Sequence, residues 1–209
     1  TLEFCVAAAP AEDGVRRVTL SDAQAALQRR HIPFAKDDDH YDVTSCFIKA
    51  MRGSDPDATL YWLGRLINSG EDVEYIARRI MVHAAEDVGL ADPQALVVAT
   101  AAALASERVG LPEARIILAQ AALYIALAPK SNSVIKGIDG ALQAVKDHPL
   151  EPPPPSMRDA HYAGAKQLGH GVGYLYPHDF PNHWVQQQYL PDNLKDAVFY
   201  TPSESGLEP

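Results

Sequence analysis

Few stretches of this chain have residue types suited to catalysis or ligand binding. The glycine-rich piece Gly169–His170–Gly171–Val172–Gly173 invites comparison with a phosphate loop. Such a loop needs G-x-x-x-x-G-K-[ST], so that backbone amides cradle phosphate while a lysine reaches its outer oxygens. No lysine follows these glycines and no helix start is legible after them, so a turn is the better reading. His161, His170, His178 and His183 gather in the same region with Asp179. Zinc ligands come at short fixed spacings or on one helix face. These spacings match neither scheme and read as packed or surface imidazoles. There is no G-x-S-x-G elbow, and nothing local activates Ser45 or Cys46. Glu86 and Asp87 are adjacent, which on a helix turns them about 100° apart, so they point to a neighbouring turn or helix rather than at each other. The sequence holds no enzyme active site.

Charged and aromatic positions are the remaining candidates. Lys49, Arg52, Arg65, Arg78, Arg79 and Lys130 lie on predicted helices or their ends. Solvated faces and carboxylate partners are the plain reading, and Glu74–Arg78, four apart, is an ordinary surface pair. The sharper reading is a phosphate or subunit contact, best carried by Arg78–Arg79, because adjacent guanidiniums can serve a neighbour and an anion together. Tyr61, Trp62 and Tyr75 are expected in the core, and any left on a second face could anchor a subunit interface, where such residues are enriched.

The elements that carry these residues are helical. Asp55 caps a helix opened by Pro56, whose apolar positions Leu60, Leu63 and Ile67 recur at helical spacing before Gly70 stops it. Asp72 caps the next, with Val73, Ile76, Ile80 and Ala84 on one face up to Gly89. A helix over 42–52 precedes this pair. Asp92–Pro93 opens an Ala/Val/Leu-rich helix to Val109, apolar on nearly all sides and so expected to be buried among others. Pro112 starts another that runs to Ala128, and Ser131 or Asn132 caps a last one with Ile135, Ile138, Leu142 and Val145, ending before Pro149. Six helices with connections of two to five residues predict an antiparallel, all-α bundle over 41–149.

Upstream, residues 1–9 read as the end of an apolar helix, 15–20 as a short β-like run, and Ser21 as the cap of a small helix to Arg30. Pro33 and Asp37–Asp38–Asp39 read as a linker over 33–40. Downstream, Glu151–Pro152–Pro153–Pro154–Pro155 predicts an extended spacer. A short helix over 157–168 and β-like runs at 172–176 and 197–200 then lie within an irregular, β-poor tail over 150–209.

The 209 residues carry a formal charge of −9 and are 47% apolar. That balance supports a sizeable core and argues against a dedicated nucleic-acid-binding domain, which shows a dense basic surface. No apolar run reaches 18 residues and no leader is legible, so a soluble, cytoplasmic protein without membrane contact is expected. Cys5 and Cys46 lack C-x-x-C spacing, which fits a reducing compartment. Thr1 is not an initiator methionine, so a fragment of a longer protein is expected.

Four stretches carry a resemblance. HYDVTSCFIKAMRGSDPDATLYWLGRLINSGED, ARRIMVHAAEDVGLADPQA, AQAALYIALAPKSNSV and YLYPHDFPNHWVQQQYLPDNLKDAVFYTPSESG together strongly resemble the C-terminal part of the RarA/MgsA family of AAA+ ATPases. Replication-associated recombination proteins and the Werner helicase-interacting protein belong to that family. The resemblance covers nearly all of 40–206 and implies a clamp-loader-like helical collar that assembles a homotetramer. Residues 1–32 would then be the remnant of an ATPase lid. ATP and Mg would bind in the AAA+ module that is missing here, and this fragment would hold no cofactor. DNA and single-strand-binding protein would be partners of the full-length protein.

Three readings follow. A non-catalytic oligomerisation domain leads, and its mark is helix surface left apolar once one bundle is built. A DNA-contacting module using Lys49, Arg52, Arg78, Arg79 and Lys130 is the alternative. A free-standing metal hydrolase built from the tail histidines is the third.

Overall fold

The computed structural model describes residues 11–12, 15–16 and 37–208. The expected helices over 1–9 and 21–30, and most of the lid remnant, lie outside the described residues. Within 11–16, strands β1 (Ala11–Glu12) and β2 (Val15–Arg16) pair antiparallel, with Glu12 opposite Val15. The rest of the regular structure is helical: α1 (Asp37–Arg52), α2 (Pro56–Asn68), α3 (Val73–His83), α4 (Gln94–Val109), α5 (Ala114–Leu127) and α6 (Ser133–Asp147). The fold is all-α.

Local chemistry sets the helix ends. The Asp55 carboxylate accepts a hydrogen bond from the Ala58 amide at 2.9 Å, with Pro56 at the first position where no donor is needed. Asp72 accepts from the Glu74 amide in the same way. The acidic run expected as a linker is helical instead, since α1 opens at Asp37. Aspartates suit a first turn, where the helix dipole is positive.

The chain divides into two units. Residues 1–134 with 202–209 form the first, and residues 135–201 the second, so α6 starts in the first and continues in the second. In the first unit α4 packs along α5, α1 along α2, and α5 also meets α2. Phe47 and Met51 of α1, Leu66 of α2, Ile76 and Ile80 of α3, and Leu118 and Ile125 of α5 are fully buried at its centre.

Three expectations fail here for packing reasons. On α2 the buried stripe is Thr59, Leu63 and Leu66, while Leu60 is 40% exposed, because the helix is rotated toward α1 and α5. On α4 the buried residues are Ala95, Ala99, Ala102 and Ser106; Leu96, Val97, Leu104 and Val109 face outward. The helix expected to be enclosed is covered only along its small side chains. The helix expected to run up to Gly89 keeps its α-helical form only to His83: a π-helical turn over Ala84–Val88 and a 3-10 turn over Gly89–Ala91 separate α3 from α4. Gly89 has a left-handed φ of 53°, and a Cβ there would stand 3.2 Å from the Ser131 carbonyl oxygen.

In the second unit the expected helix over 157–168 is absent among the described residues. Two 3-10 turns, Pro155–Met157 and Ala165–Leu168, flank an extended Arg158 and Gly164 at φ 91°. The two β-like runs form no strands. Instead the Gln187 side-chain amide bonds both the Leu175 amide (3.2 Å) and its carbonyl (2.8 Å), as a neighbouring strand would. Residues around Phe199 lie against α6, where the Phe199 carbonyl oxygen would be 3.1 Å from a Cβ at Gly137.

Leu66→Ala is expected to lower unfolding free energy by about 2–5 kcal/mol, and Leu104→Ala by less than about 0.5 kcal/mol, read by urea denaturation. Equal losses would mean that α4's outer face is packed in the folded chain.

Candidate interaction surface

The charged candidates separate into those engaged inside the fold and those at its surface. Arg52, in the last turn of α1, donates from Nε to Asp87 Oδ1 at 2.7 Å and from Nη2 to Glu86 Oε1 at 2.8 Å. Asp87 also meets the buried His83 ring, Nδ1 to Oδ2 at 2.7 Å, four residues back on the same helical run. His83 and Asp87 are four residues apart and so lie on one face, and Glu86 reaches Arg52 from the same π-helical turn. Burial pushes the Asp87 carboxyl up, but hydrogen bonds and charge from His83 and Arg52 outweigh it and hold the group below the usual carboxylate range. The hydrogen bond to Asp87 likewise raises Arg52, against a smaller opposing effect of burial.

One ligand atom each from His83, Glu86 and Asp87 fall within 4.8 Å of one another, the spacing of a small metal site. The Arg52 guanidinium already holds both carboxylates, and a cation would have to displace it. The cluster therefore reads as an ion-pair network that ties α1 to the α3–α4 junction. The tail histidines make no three-ligand group among the described residues. His178 and His183 pair ring to ring at 4.8 Å, and His170 Nδ1 is 2.7 Å from the Tyr162 hydroxyl.

Lys130 is also engaged. Its Nζ donates to the carbonyls of Ile125, Ala126 and Ala128, closing the C-terminus of α5, where a cation suits the dipole. Burial lowers its pKa, partly offset by the Asp87 charge. Lys49 sits exposed in the last turn of α1. Arg78 and Arg79 converge on one ring: their guanidinium carbons stand 6.0 Å and 5.4 Å from the centre of Tyr75, and the buried Nε of Arg79 has no hydrogen-bond partner. Arg65 lies 5.4 Å over Trp62, and Tyr61, 60% exposed, meets Trp62 edge-on. Arg52 and Lys130 thus serve the fold, while Arg78, Arg79 and the Tyr61–Trp62 pair remain at the surface.

Sequence reasoning missed an apolar cleft. A cleft of about 820 Å³ runs between α2 and α5, lined by Leu60, Leu63, Ile67, Leu111, Ile116 and Leu123. A smaller one of about 250 Å³ lies between α3 and α4, with Arg78, Met81 and Leu104 on its walls. The His83–Asp87 spacing of four was a readable signal for the ion-pair network; its partner Arg52, 35 residues from Asp87 in sequence, was not.

Glycines 169, 171 and 173 take left-handed φ values, and the Gly171 amide donates to the Pro155 carbonyl at 2.8 Å. With that amide engaged and no G-K pair anywhere in the chain, these residues do not fit a nucleotide phosphate. Among the described residues no helix is long and apolar enough to cross a membrane.

The family matches make this all-α chain the C-terminal part of an AAA+ ATPase. Residues 1–52 match the family described as AAA C-terminal domain, and residues 53–209 match MgsA AAA+ ATPase C terminal. The chain belongs to the MgsA family. It is 49% identical over 195 residues to replication-associated recombination protein A of Bacillus subtilis, covering 93% of this chain and 46% of that protein. The Escherichia coli K12 protein of the same name is 38% identical over 211 residues, covering 100% of this chain and 47% of its own length. ATPase WRNIP1 of Dictyostelium discoideum is 38% identical over 190 residues, covering 89% of this chain and 22% of that protein. The chain spans about half the length of the bacterial recombination proteins that it matches.

Asp87→Asn is expected to cost about 1–3 kcal/mol at pH 7. Because the folded carboxyl titrates lower than the unfolded one, its contribution is present above about pH 4 and fades as pH falls further. Variant and wild type should therefore converge in acid, as measured by denaturant titration at stepped pH. A gap that stays constant down to pH 2 would show that Asp87 acts through shape rather than charge.

Proposed function

We propose that this chain is the non-catalytic assembly portion of an AAA+ ATPase that works in replication-associated recombination. In this reading the helical stretch 41–149 forms a clamp-loader-like collar that joins copies into a homotetramer. ATP and Mg bind and react in the AAA+ module, with DNA and single-strand-binding protein as partners of the whole cytoplasmic protein.

The observation that carries this reading is the inversion of side-chain size on α4 and α5. Alanines fill the inner face of α4 and share that of α5 with Leu118 and Ile125, while Leu96, Val97, Leu104, Val109, Ile116 and Leu127 stand 44–68% exposed. Large apolar side chains left in a run on neighbouring helices mark a surface that another protein covers. An overall charge of −9 disfavours self-association, so apolar contact has to supply the attraction.

The DNA-contacting alternative has one observation in its favour, the convergence of Arg78 and Arg79 on Tyr75. Guanidiniums beside an aromatic ring suit a single strand, which offers both phosphates and base faces. Arg52 and Lys130, engaged in the fold, are not available to widen that patch.

Light scattering over a dilution series tests the leading reading. A mass near four times 22.7 kDa, stable on dilution, is expected; a monomer at every concentration overturns it. Fork or single-strand binding that weakens with salt and is lost in the Arg78→Glu, Arg79→Glu double variant would instead favour the alternative.

A further inference from the structure

The last residues of the chain are fastened in a way that the helical bundle does not need. Residues 202–208 return to the first unit after the second has ended at 201, and they lie as a strap against the turn that precedes α4. The Leu207 amide donates to the Ala91 carbonyl at 2.8 Å. Glu208, 4% exposed, accepts from the hydroxyls of Ser131, Ser133 and Ser203. Ser133 is the first residue of the 15-residue α6, so the carboxylate also stands at the positive end of a helix dipole.

No apolar burial holds the strap. Pro202, Ser203, Glu204, Gly206 and Leu207 are exposed, and the one large apolar side chain among them, Leu207, is 75% exposed. The core cluster is drawn from α1 to α5 and the turns between them, and none of its residues lies beyond Ala128. Closure also carries costs. Glu204 takes a left-handed φ of 56°, uncommon for a residue with a side chain, and Gly206 is wedged against the Ala91 carbonyl oxygen and the Pro129 ring. Burying the Glu208 carboxylate gives up its hydration.

We propose that residues 202–208 form a releasable latch, with Glu208 in its serine site as the catch, and that the strap opens and closes while the α1–α5 bundle stays folded. A segment held at two residues, under backbone strain and with no buried apolar area, belongs to the low-stability end of a structure, where local opening occurs without global unfolding. Residues 135–201 leave the first unit through α6 and the chain rejoins that unit at the strap. The latch therefore decides whether the second unit is anchored at both ends of its chain or at one. It uses none of the exposed apolar residues of α4 and α5, so it stands apart from self-association.

Amide hydrogen exchange on the full chain tests the latch. The Leu207 amide should exchange at least about a hundredfold faster than the Leu66 and Leu118 amides of the bundle, yet about tenfold slower than an unprotected amide. Glu208→Gln keeps the shape of the catch but not its charge, and should speed Leu207 exchange about tenfold. Gly206→Ala, which drives a Cβ into the Ala91 carbonyl, should speed it as much or more, and both variants should melt cooperatively within about 5 °C of wild type. Leu207 exchange at the rate of the bundle amides, or loss of the cooperative melt in either variant, would make the strap part of the fold and overturn the latch. Exchange at the unprotected rate in wild type would mean that the strap never closes and overturns it as well. A Glu208→Gln chain with unchanged Leu207 exchange overturns Glu208 as the catch.

Discussion

Alanine-to-alanine packing between α4 and α5 is the constraint from which most of this structure follows. Ala95, Ala99 and Ala102 on one helix, and Ala114, Ala121, Ala122 and Ala126 on the other, are buried at or near zero exposure. Small side chains allow two helices to approach closely. Leu118 and Ile125 of α5 are buried in the same cluster as these alanines, while Leu96, Val97, Leu104, Ile116 and Leu127 are turned outward. The core is completed by large residues from α1, α2 and α3, with Phe47, Met51, Leu66, Ile76 and Ile80 closing over the alanine seam. One choice of residue size thus fixes the inner packing and exposes an outer apolar surface. Evolutionary pressure for solubility in an isolated domain would oppose that exposure, whereas a subunit surface would explain it.

The second constraint is polar. Where α3 ends, a π-helical turn brings His83, Glu86 and Asp87 onto a side that faces Arg52. The same turn presents the Asp87 carbonyl to the Ser131 amide at 2.8 Å, so the corner after α5 is tied to the corner after α3. A strap from the far end of the first unit joins there. The Leu207 amide donates to the Ala91 carbonyl at 2.8 Å, and the buried Glu208 carboxylate accepts from the hydroxyls of Ser131, Ser133 and Ser203. Gly206 makes this possible, because a Cβ there would fall inside contact distance of Ala91 and Pro129. Buried carboxylates are tolerated when donors surround them, and here three hydroxyls do.

Sequence and structure agree where the information is local. Asp55 before Pro56 and Asp72 before Val73 announce helix starts because a cap needs only its own next three residues. Periodicity located α2, α4, α5 and α6 nearly to their ends for the same reason, whereas α1 opens at Asp37 rather than Asp42 and α3 ends at His83 rather than Gly89. Agreement stops where a distant partner decides. Periodicity placed Leu60 on the buried face of α2, but Thr59, whose hydroxyl is satisfied locally by the Asp55 carbonyl at 2.7 Å, takes the inner position. Hydrophobicity alone could not foresee that a threonine would displace a leucine. Nor could it show that an apolar α4 would be covered on its alanine side only, since covering depends on which helices are present.

The candidate surface was legible in part, and the division follows range. Arg78, Arg79 and Tyr75 lie within five residues, so their convergence was open to local reading. Arg52 and Lys130 were grouped with them by charge alone, yet their partners lie on other elements or on the helix end they close. The α2–α5 cleft needed both helices in place before its walls existed. Its one local trace was Gly64, a glycine inside a helix with neither a turn to make nor a neighbour to admit. A glycine that weakens its own helix and relieves no crowding within its own chain leaves a mark that periodicity passes over, because periodicity reads only the spacing of apolar side chains.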